Sequence, residues 1–451
     1  MGMNGLFMSG LNLMKTFSSL GISESAVRDI SKAHATGDTI HIGQTFTVFK
    51  QWVWITAVFG IILTILFSPL LSRFSFNSYQ YTTSYIWLSL TFIFGALSGG
   101  IYTLLRGTRQ IKYLAQANIL GGIVGLLVAL PIFYFYGIKG VVPAIIITAF
   151  ANYLVSLYFK SKIQYTATIV SWKETFHLGK PMVQLGLSLT VINLLAAGIA
   201  FVLNAFISKT GSLSDVGLYN AGNAIVDGYV GMVFTAMATD YFPRLSGVIG
   251  EDLKWKQLVN EQSELVIIIL SIVLVLLIST TPILIRILLS KEFLATQNFI
   301  FWAVFAIPLK GLVWVTGFVV LAKGDNKLFL TIEIIANLIL LSFNLFFYKF
   351  YGITGLGISM IASYIIFIVI MITVLKSKYD FQFSNEVIGL TLKTLFSLTL
   401  CLICIKLLGY PNAYFAEAVI VVLTIIYSLF ELNKRVNLKG ILVYITAKTK
   451  N

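Results

Sequence analysis

The sequence predicts an all-α polytopic membrane protein built as two pseudo-symmetric helical bundles in tandem, and three observations carry that expectation. The 451 residues are 58% hydrophobic and 11% charged, with a mean hydropathy of +0.90; a soluble domain typically carries about twice that charge. Apolar runs of about 20 residues, each enough to cross about 30 Å of hydrocarbon, recur along the whole length. The chain also repeats itself. Gly5-Leu6-Phe7 with Gly10 returns as Gly217-Leu218-Tyr219 with Gly222, an offset of 212.

About thirteen spans follow in order, at 4–22, 50–72, 84–105, 113–135, 141–160, 183–207, 216–240, 264–287, 297–321, 328–350, 353–375, 388–409 and 414–430. Gly and Pro within some of them are tolerated in membrane helices, and the period-two alternation of a barrel is absent. Residues 1–160 hold the five spans of an N-terminal lobe, and 161–182, with Lys162, Lys173 and Lys180, reads as a cytoplasmic linker. Residues 183–375 hold the six spans of a C-terminal lobe, and 376–451 a helix pair with a basic cytoplasmic tail. The longest loops are expected at 23–49, 161–182 and 241–263.

The repeat extends well beyond its first element. Ser68-Pro69-Leu70-Leu71 matches Thr281-Pro282-Ile283-Leu284, and Arg106-Gly107 matches Lys323-Gly324 at an offset of 217. The strongest match is Phe135-Tyr136-Gly137-Ile138-Lys139-Gly140 with Phe350-Tyr351-Gly352-Ile353-Thr354-Gly355, at 215. Subtracting 212 from span 183–207 places its counterpart ahead of Met1. The N-terminal lobe is therefore expected to lack its first helix, the sequence beginning one helix late.

The net charge of +14 is explained by topology rather than by nucleic acid. With the loop after residue 22 taken as cytoplasmic and the sides alternating from there, only Arg73, Lys139, Lys209, Arg286, Lys291, Lys349 and Lys406 fall outside. Of the rest, all but Lys15 and Lys310 lie on the cytoplasmic side. That bias is the positive-inside rule, and it puts the C-terminus in the cytoplasm. Cys401 and Cys404 form a C-x-x-C inside an apolar span and read as helix packing, not as a redox or metal site. His34, His41 and His177 lack metal-ligand spacing. No metal, no cofactor and no enzyme chemistry is expected: phosphate-cradling loop, metal cluster and nucleophile-base pair are all missing from the pattern.

Charges inside spans are costly unless they meet a wet cavity or a partner. Lys15 and Asp227 occupy equivalent positions of the repeat, each ten residues past its first glycine, which suggests two lobes facing one polar cavity. Asn220, Asn223 and Asp227 share one helical face through i, i+3 and i+7 spacing. Lys310 follows Pro308 and precedes Gly311, a charge beside a kink, as in the broken helices transporters place at binding sites. Glu333 lies six residues inside its span from Lys327 and is read equally as that lysine's partner or as a cavity residue. For Lys15 a structural pair with Asp227 competes with cavity lining, and for Lys310 satisfaction by the carbonyls the proline frees.

Two six-helix lobes with a C-terminal pair resemble the multidrug/oligosaccharidyl-lipid/polysaccharide exporter superfamily, and within it the Wzx-type O-antigen and polysaccharide translocases. The matching pieces are Gly179-Lys180-Pro181, Val216-Gly217-Leu218-Tyr219-Asn220-Ala221-Gly222-Asn223 and Phe242-Pro243-Arg244-Leu245-Ser246. The resemblance implies a flippase in the bacterial inner membrane. It would move an oligosaccharide on undecaprenyl diphosphate from the cytoplasmic to the periplasmic leaflet by alternating access. It implies membrane lipids, a polysaccharide polymerase and glycosyltransferases as partners. Lys15 and Lys310 would meet the diphosphate, Asp227 would gate or carry a proton, and Arg28, Arg106 and Arg109 would capture the headgroup at the cytoplasmic mouth. The competing readings are a cation-coupled multidrug antiporter of the same superfamily and an integral-membrane polysaccharide polymerase. Antiporters usually show twelve helices and acidic residues gathered in one lobe; a polymerase would want a large external loop.

Overall fold

The structure, a computed structural model, describes residues 2–435 apart from 36, 37, 164, 165, 167 and 410. All regular structure among them is helical. Among the described residues nine helical stretches are long and apolar enough to cross a membrane. Two of these, Ile111–Lys160 and Lys327–Tyr379, are 50 and 53 residues long, enough for two passes each. Helices Gly2–Ser19 and Leu213–Val248, which carry Lys15 and Asp227, are not among the nine. The thirteen expected spans all fall on helices, while length and hydropathy alone pick out nine stretches among the described residues. The chain divides into two compact units, Met1–Val216 and Gly217–Asn451.

The first unit contains α1 (Gly2–Ser19), α2 (Ile22–Ala35), α3 (Thr39–Phe76), α4 (Thr82–Leu88), α5 (Thr91–Gly107), α6 (Ile111–Tyr136), α7 (Val141–Lys160) and α8 (Trp172–Thr210). The expected loop 23–49 is helical instead over 23–35 and 39–49. Ala26, Ile30 and Ala33 recur on one face of α2 and bury completely against Phe49, Leu104 and their neighbours. Asp38 then caps α3, accepting from the backbone N–H of Ile40 at 2.8 Å and His41 at 3.2 Å. A loop assignment missed this because α2 is amphipathic rather than apolar. Helix α8, placed by the repeat at the head of the second lobe, packs on α1, α2 and α3. The Trp52 indole donates to the Thr175 carbonyl at 3.2 Å, and Phe201 joins the cluster of Phe7, Leu11 and Leu71.

Ahead of α8 the chain runs along α3, held once per helical turn. The Thr166 N–H donates to the Thr39 carbonyl at 3.3 Å, and Gly43 presents bare backbone where a Cβ would meet the Thr166 oxygen at 1.8 Å. Thr47 Oγ1 donates to the Thr168 carbonyl and Gln51 Nε2 to that of Val170, both at 3.0 Å. Ser171 caps α8 in a reciprocal box with Glu174. The Ser171 hydrogen bonds, backbone before side chain, hold the Glu174 carboxyl below its ordinary range.

The second unit contains α9 (Leu213–Val248), which starts at the unit boundary, then α10 (Asp252–Leu288), α11 (Thr296–Ala322), α12 (Asn326–Tyr379), α13 (Asn385–Leu408) and α14 (Ala413–Arg435). Most of the expected loop 241–263 is helix at the ends of α9 and α10. α13 and α14, the pair outside the repeat, pack on α10. Ser271 and Ser428 share a hydrogen bond at 2.7 Å, and Arg435 reaches Glu264 and Glu431, each at 2.5 Å. The basic tail after residue 435 lies outside the described residues.

Repeat-equivalent residues do equivalent jobs in the two units. Between α6 and α7 the backbone breaks at Gly137, φ 51° and ψ −130°; within α12 it breaks at Gly352, φ 57° and ψ −141°. Three residues on, a Cβ on Gly140 would meet the Ile132 oxygen at 2.8 Å, and one on Gly355 the Phe347 oxygen at 2.1 Å. All three pairs keep the offset of 215. Likewise Tyr85 donates its hydroxyl to the Leu6 carbonyl at 3.4 Å, and Thr296 donates to that of Leu218 at 3.1 Å. α5 ends with the Gln110 N–H on the Leu105 carbonyl, and α11 with the Asp325 N–H on that of Val320. The left-handed residue at these stops is Arg109 in one unit and Gly324 in the other. That corrects the sequence register: Arg109, not Gly107, matches Gly324.

Candidate functional site

In the second unit the polar groups converge where α9, α11 and α12 run together. Asp227 stands on the open face of α9, its side chain 55% exposed. Asn223, one turn earlier, donates its amide to Asp227 Oδ2 at 2.7 Å. Across from them Lys310 Nζ sits 3.7 Å from Asp227 Oδ1. Lys310 follows the buried Pro308 of α11, and Gly311 beside it is packed by Val266 and Leu270 of α10. The apolar side of α11 is thereby fixed to α10, and Lys310 lies on the other side, 30% exposed.

From α12 come two more groups. Tyr364 lies within electrostatic reach of Lys310, Glu333 and Asp227 together, so Glu333 belongs to this cluster. Tyr219 of α9 lies within reach of Asp227 as well. Tyr364 had no signal in the sequence: it is one of 21 tyrosines, with no motif around it. Asn220 shares the α9 face and is engaged in an interaction of its own. The assembly is one cation, two carboxyls and two phenols on α9, α11 and α12. It can exchange its internal ion pair for an external charge, because an ion pair this open holds its partners only weakly.

In the first unit Lys15 is exposed on α1, on the side away from the buried Leu6 and Gly10. Asn12, also exposed, precedes it by one turn. Lys15 has no ion-pair partner among the described residues. Nearer the α3–α5–α7 end, Lys50 and Lys160 line a cavity of about 60 Å³ with Phe46, Phe49 and Tyr153. The three arginines stand differently. Arg28 is exposed and paired with the adjacent Asp29 at 3.0 Å, Arg106 is half-buried, and Arg109 is exposed in the left-handed turn. Three aromatic rings of the second unit pack within the protein: Trp314 on Phe234 and Phe318, Tyr219 on Phe299, Trp302 on Phe305.

Among the described residues no group of three or more His, Cys, Asp or Glu is arranged to hold a metal ion. Cys401 is buried and free, Cys404 half-buried and free, in keeping with helix packing.

The fold has solved counterparts. A structure titled as the lipid II flippase MurJ in an inward closed conformation matches with a TM-score of 0.63 at 14% identity, over 96% of this chain and 97% of that one. An inward-facing multidrug resistance transporter of the MATE family, in the MOP superfamily, matches with a TM-score of 0.65 at 13% identity, over 84% and 93%. At such identities the likeness is one of fold, and it bears out the all-helical membrane-protein architecture expected from the sequence. No curated protein sequence matches the chain. Residues 1–298, well over half its length, match the family described as polysaccharide biosynthesis protein. This multi-pass helical membrane protein therefore belongs to that polysaccharide biosynthesis family.

Proposed function

We propose that this chain is a flippase of the inner membrane that carries an undecaprenyl-diphosphate-linked oligosaccharide, the repeat unit of an O-antigen or related polysaccharide, to the periplasmic leaflet. The observation that carries the reading is the Asp227–Lys310 pair, a cation held loosely by a carboxylate between α9 and α11. A diphosphate headgroup cannot cross hydrocarbon unaided, and it needs a cationic point charge that can leave its resting partner. Lys310 and Lys15 supply such charges, with Asn220, Asn223, Asp227 and Glu333 as the polar wall. Arg28, Arg106 and Arg109 form the capture site at the cytoplasmic mouth, where guanidinium suits phosphate. The lipid tail stays in the bilayer, alternating access moves the headgroup, and the C-terminus is cytoplasmic by the basic-residue bias. The family membership and the MurJ-like fold support the same cargo class.

The test is complementation of a translocase-deficient strain. Lys310→Ala and Lys15→Ala are each expected to abolish surface polysaccharide while the protein still inserts. Wild-type display by both variants would overturn the site. One observation favours a second reading, cation-coupled drug antiport: an Asn-supported carboxylate on α9 in a fold shared with a multidrug transporter. Dye efflux from cells expressing the chain, lost in Asp227→Asn, would select that reading instead.

A further inference from the structure

Helix α14 is built inside out. Its apolar residues Phe415, Val419, Leu423, Ile426 and Phe430 are exposed, while Glu417, Ser428 and Glu431 are buried along the opposite stripe, against α10 and α13. Ser428 meets Ser271, and Glu431 meets Arg435 and Lys434. Glu417 is 1% exposed, and among the described residues neither of its carboxyl oxygens has a hydrogen-bond partner.

The groups around it do not supply a counter-charge. From α13 the buried thiol of Cys401 faces it, with Cys404 one turn further. From α10 comes Ser279, 4.0 Å from the Cys401 sulfur. Toward the α13–α14 turn, Tyr414 lies within reach of both Glu417 and Arg286 of α10. Lys406 of α13 is placed over the Trp302 ring, 5.5 Å from its centroid. A carboxylate left ionised and unpaired in such a place costs several kcal/mol. A metal cation is a poor remedy: one carboxyl, a hydroxyl and a thiol fall short of the six or so oxygen ligands hard cations take. A proton needs only the carboxyl itself.

We propose that Glu417 is a proton-binding site in the appended helix pair, separate from the Asp227–Lys310 cluster, and that it exchanges its proton with water at the α13–α14 turn. The carboxylic acid is the resting form, and on ionisation Arg286, which shares the neighbourhood of Tyr414 with it, is a positive charge on the adjoining helix α10. The inference is independent of the flippase reading, because it concerns a bound proton on the isolated chain.

Infrared difference spectra of the full chain in detergent, taken between mildly acid and mildly alkaline buffer, test it. The wild type should show a carboxylic-acid C=O band that shifts in heavy water, falls as pH rises and is missing from Glu417→Gln. A band that persists unchanged in Glu417→Gln overturns the proposal. Should that variant fail to fold, the wild type decides by modification with dicyclohexylcarbodiimide. The carboxyl O–H adds across a C=N bond of the reagent, its proton going to nitrogen, and the adduct rearranges to a stable N-acylurea. Adduct at Glu417 should exceed that at the exposed Glu386, and fall about tenfold per pH unit once the group ionises. Adduct at Glu386 but not at Glu417, or a yield at Glu417 indifferent to pH, overturns it.

Discussion

Lys310 Nζ stands 3.7 Å from Asp227 Oδ1, joining two helices of the second unit through a pair that neither helix buries. Asn223 holds the other carboxylate oxygen, so Asp227 is oriented before the lysine arrives. Exposed pairs contribute about 0–1 kcal/mol, which makes this contact easy to replace by a ligand and a poor source of stability. Exchanging the residues, Asp227→Lys with Lys310→Asp, should leave membrane insertion and detergent melting within a few degrees of wild type. Polysaccharide display should still be lost, because the cation then sits on α9. Full display by the exchanged protein would show that the pair acts only as a strut.

Arg109 and Gly324 end their helices in the same left-handed turn, at φ 56° and 75°. A side chain in that region costs about 1–2 kcal/mol, and glycine avoids it. Arg109→Gly should therefore raise the melting temperature of the solubilised protein, while lowering transport if the guanidinium captures headgroups. A stability loss would mean that the Arg109 side chain makes a compensating contact.

Gly137 and Gly352 break their hairpins in a region of φ and ψ almost closed to other residues. Gly137→Ala and Gly352→Ala should each destabilise the protein by about 1–3 kcal/mol. Denaturant or thermal unfolding in a fixed detergent measures it. Gly122→Ala is the control, since open space surrounds that glycine.

Asp325 receives a hydrogen bond from the Lys378 ammonium and another from the Tyr379 hydroxyl at 3.2 Å. The lysine's hydrogen bond comes first in holding the carboxyl below its ordinary range. A depressed carboxyl contributes stability above its unfolded value, near pH 4, and loses it as pH falls through the folded value. Melting curves of wild type and Asp325→Asn should differ at neutral pH and converge in acid. A difference that does not shrink in acid would remove the ion from the explanation.

Much of this architecture was legible in the residues. The Phe-Tyr-Gly-Ile match marked the repeat, and its two glycines are the equivalent backbone breaks of the structure. Asp227, Asn223 and Lys310 were visible because charges and amides stand out in apolar helices. The sequence misled where pattern and burial diverge. α2 looked like a loop because half its surface is polar, and α8 was assigned by offset although its packing surface suits α1–α3. Tyr364 and Glu417 were passed over for different reasons. A tyrosine among many gives no signal, and a glutamate near a helix end looks like an interfacial charge until both its oxygens prove to be enclosed.

The segment running along α3 carries a consequence for what the linker can tolerate. Its rungs at 43, 47 and 51 meet residues 166, 168 and 170. Four helical residues advance about 6 Å, a distance that two residues of chain can span at about 3.3–3.6 Å each, so each turn of α3 is matched by two residues of the linker. Inserting one residue between 166 and 170 would turn carbonyls away from their donors, whereas inserting two would restore the phase one notch along. Natural variation in this stretch should therefore come in even steps.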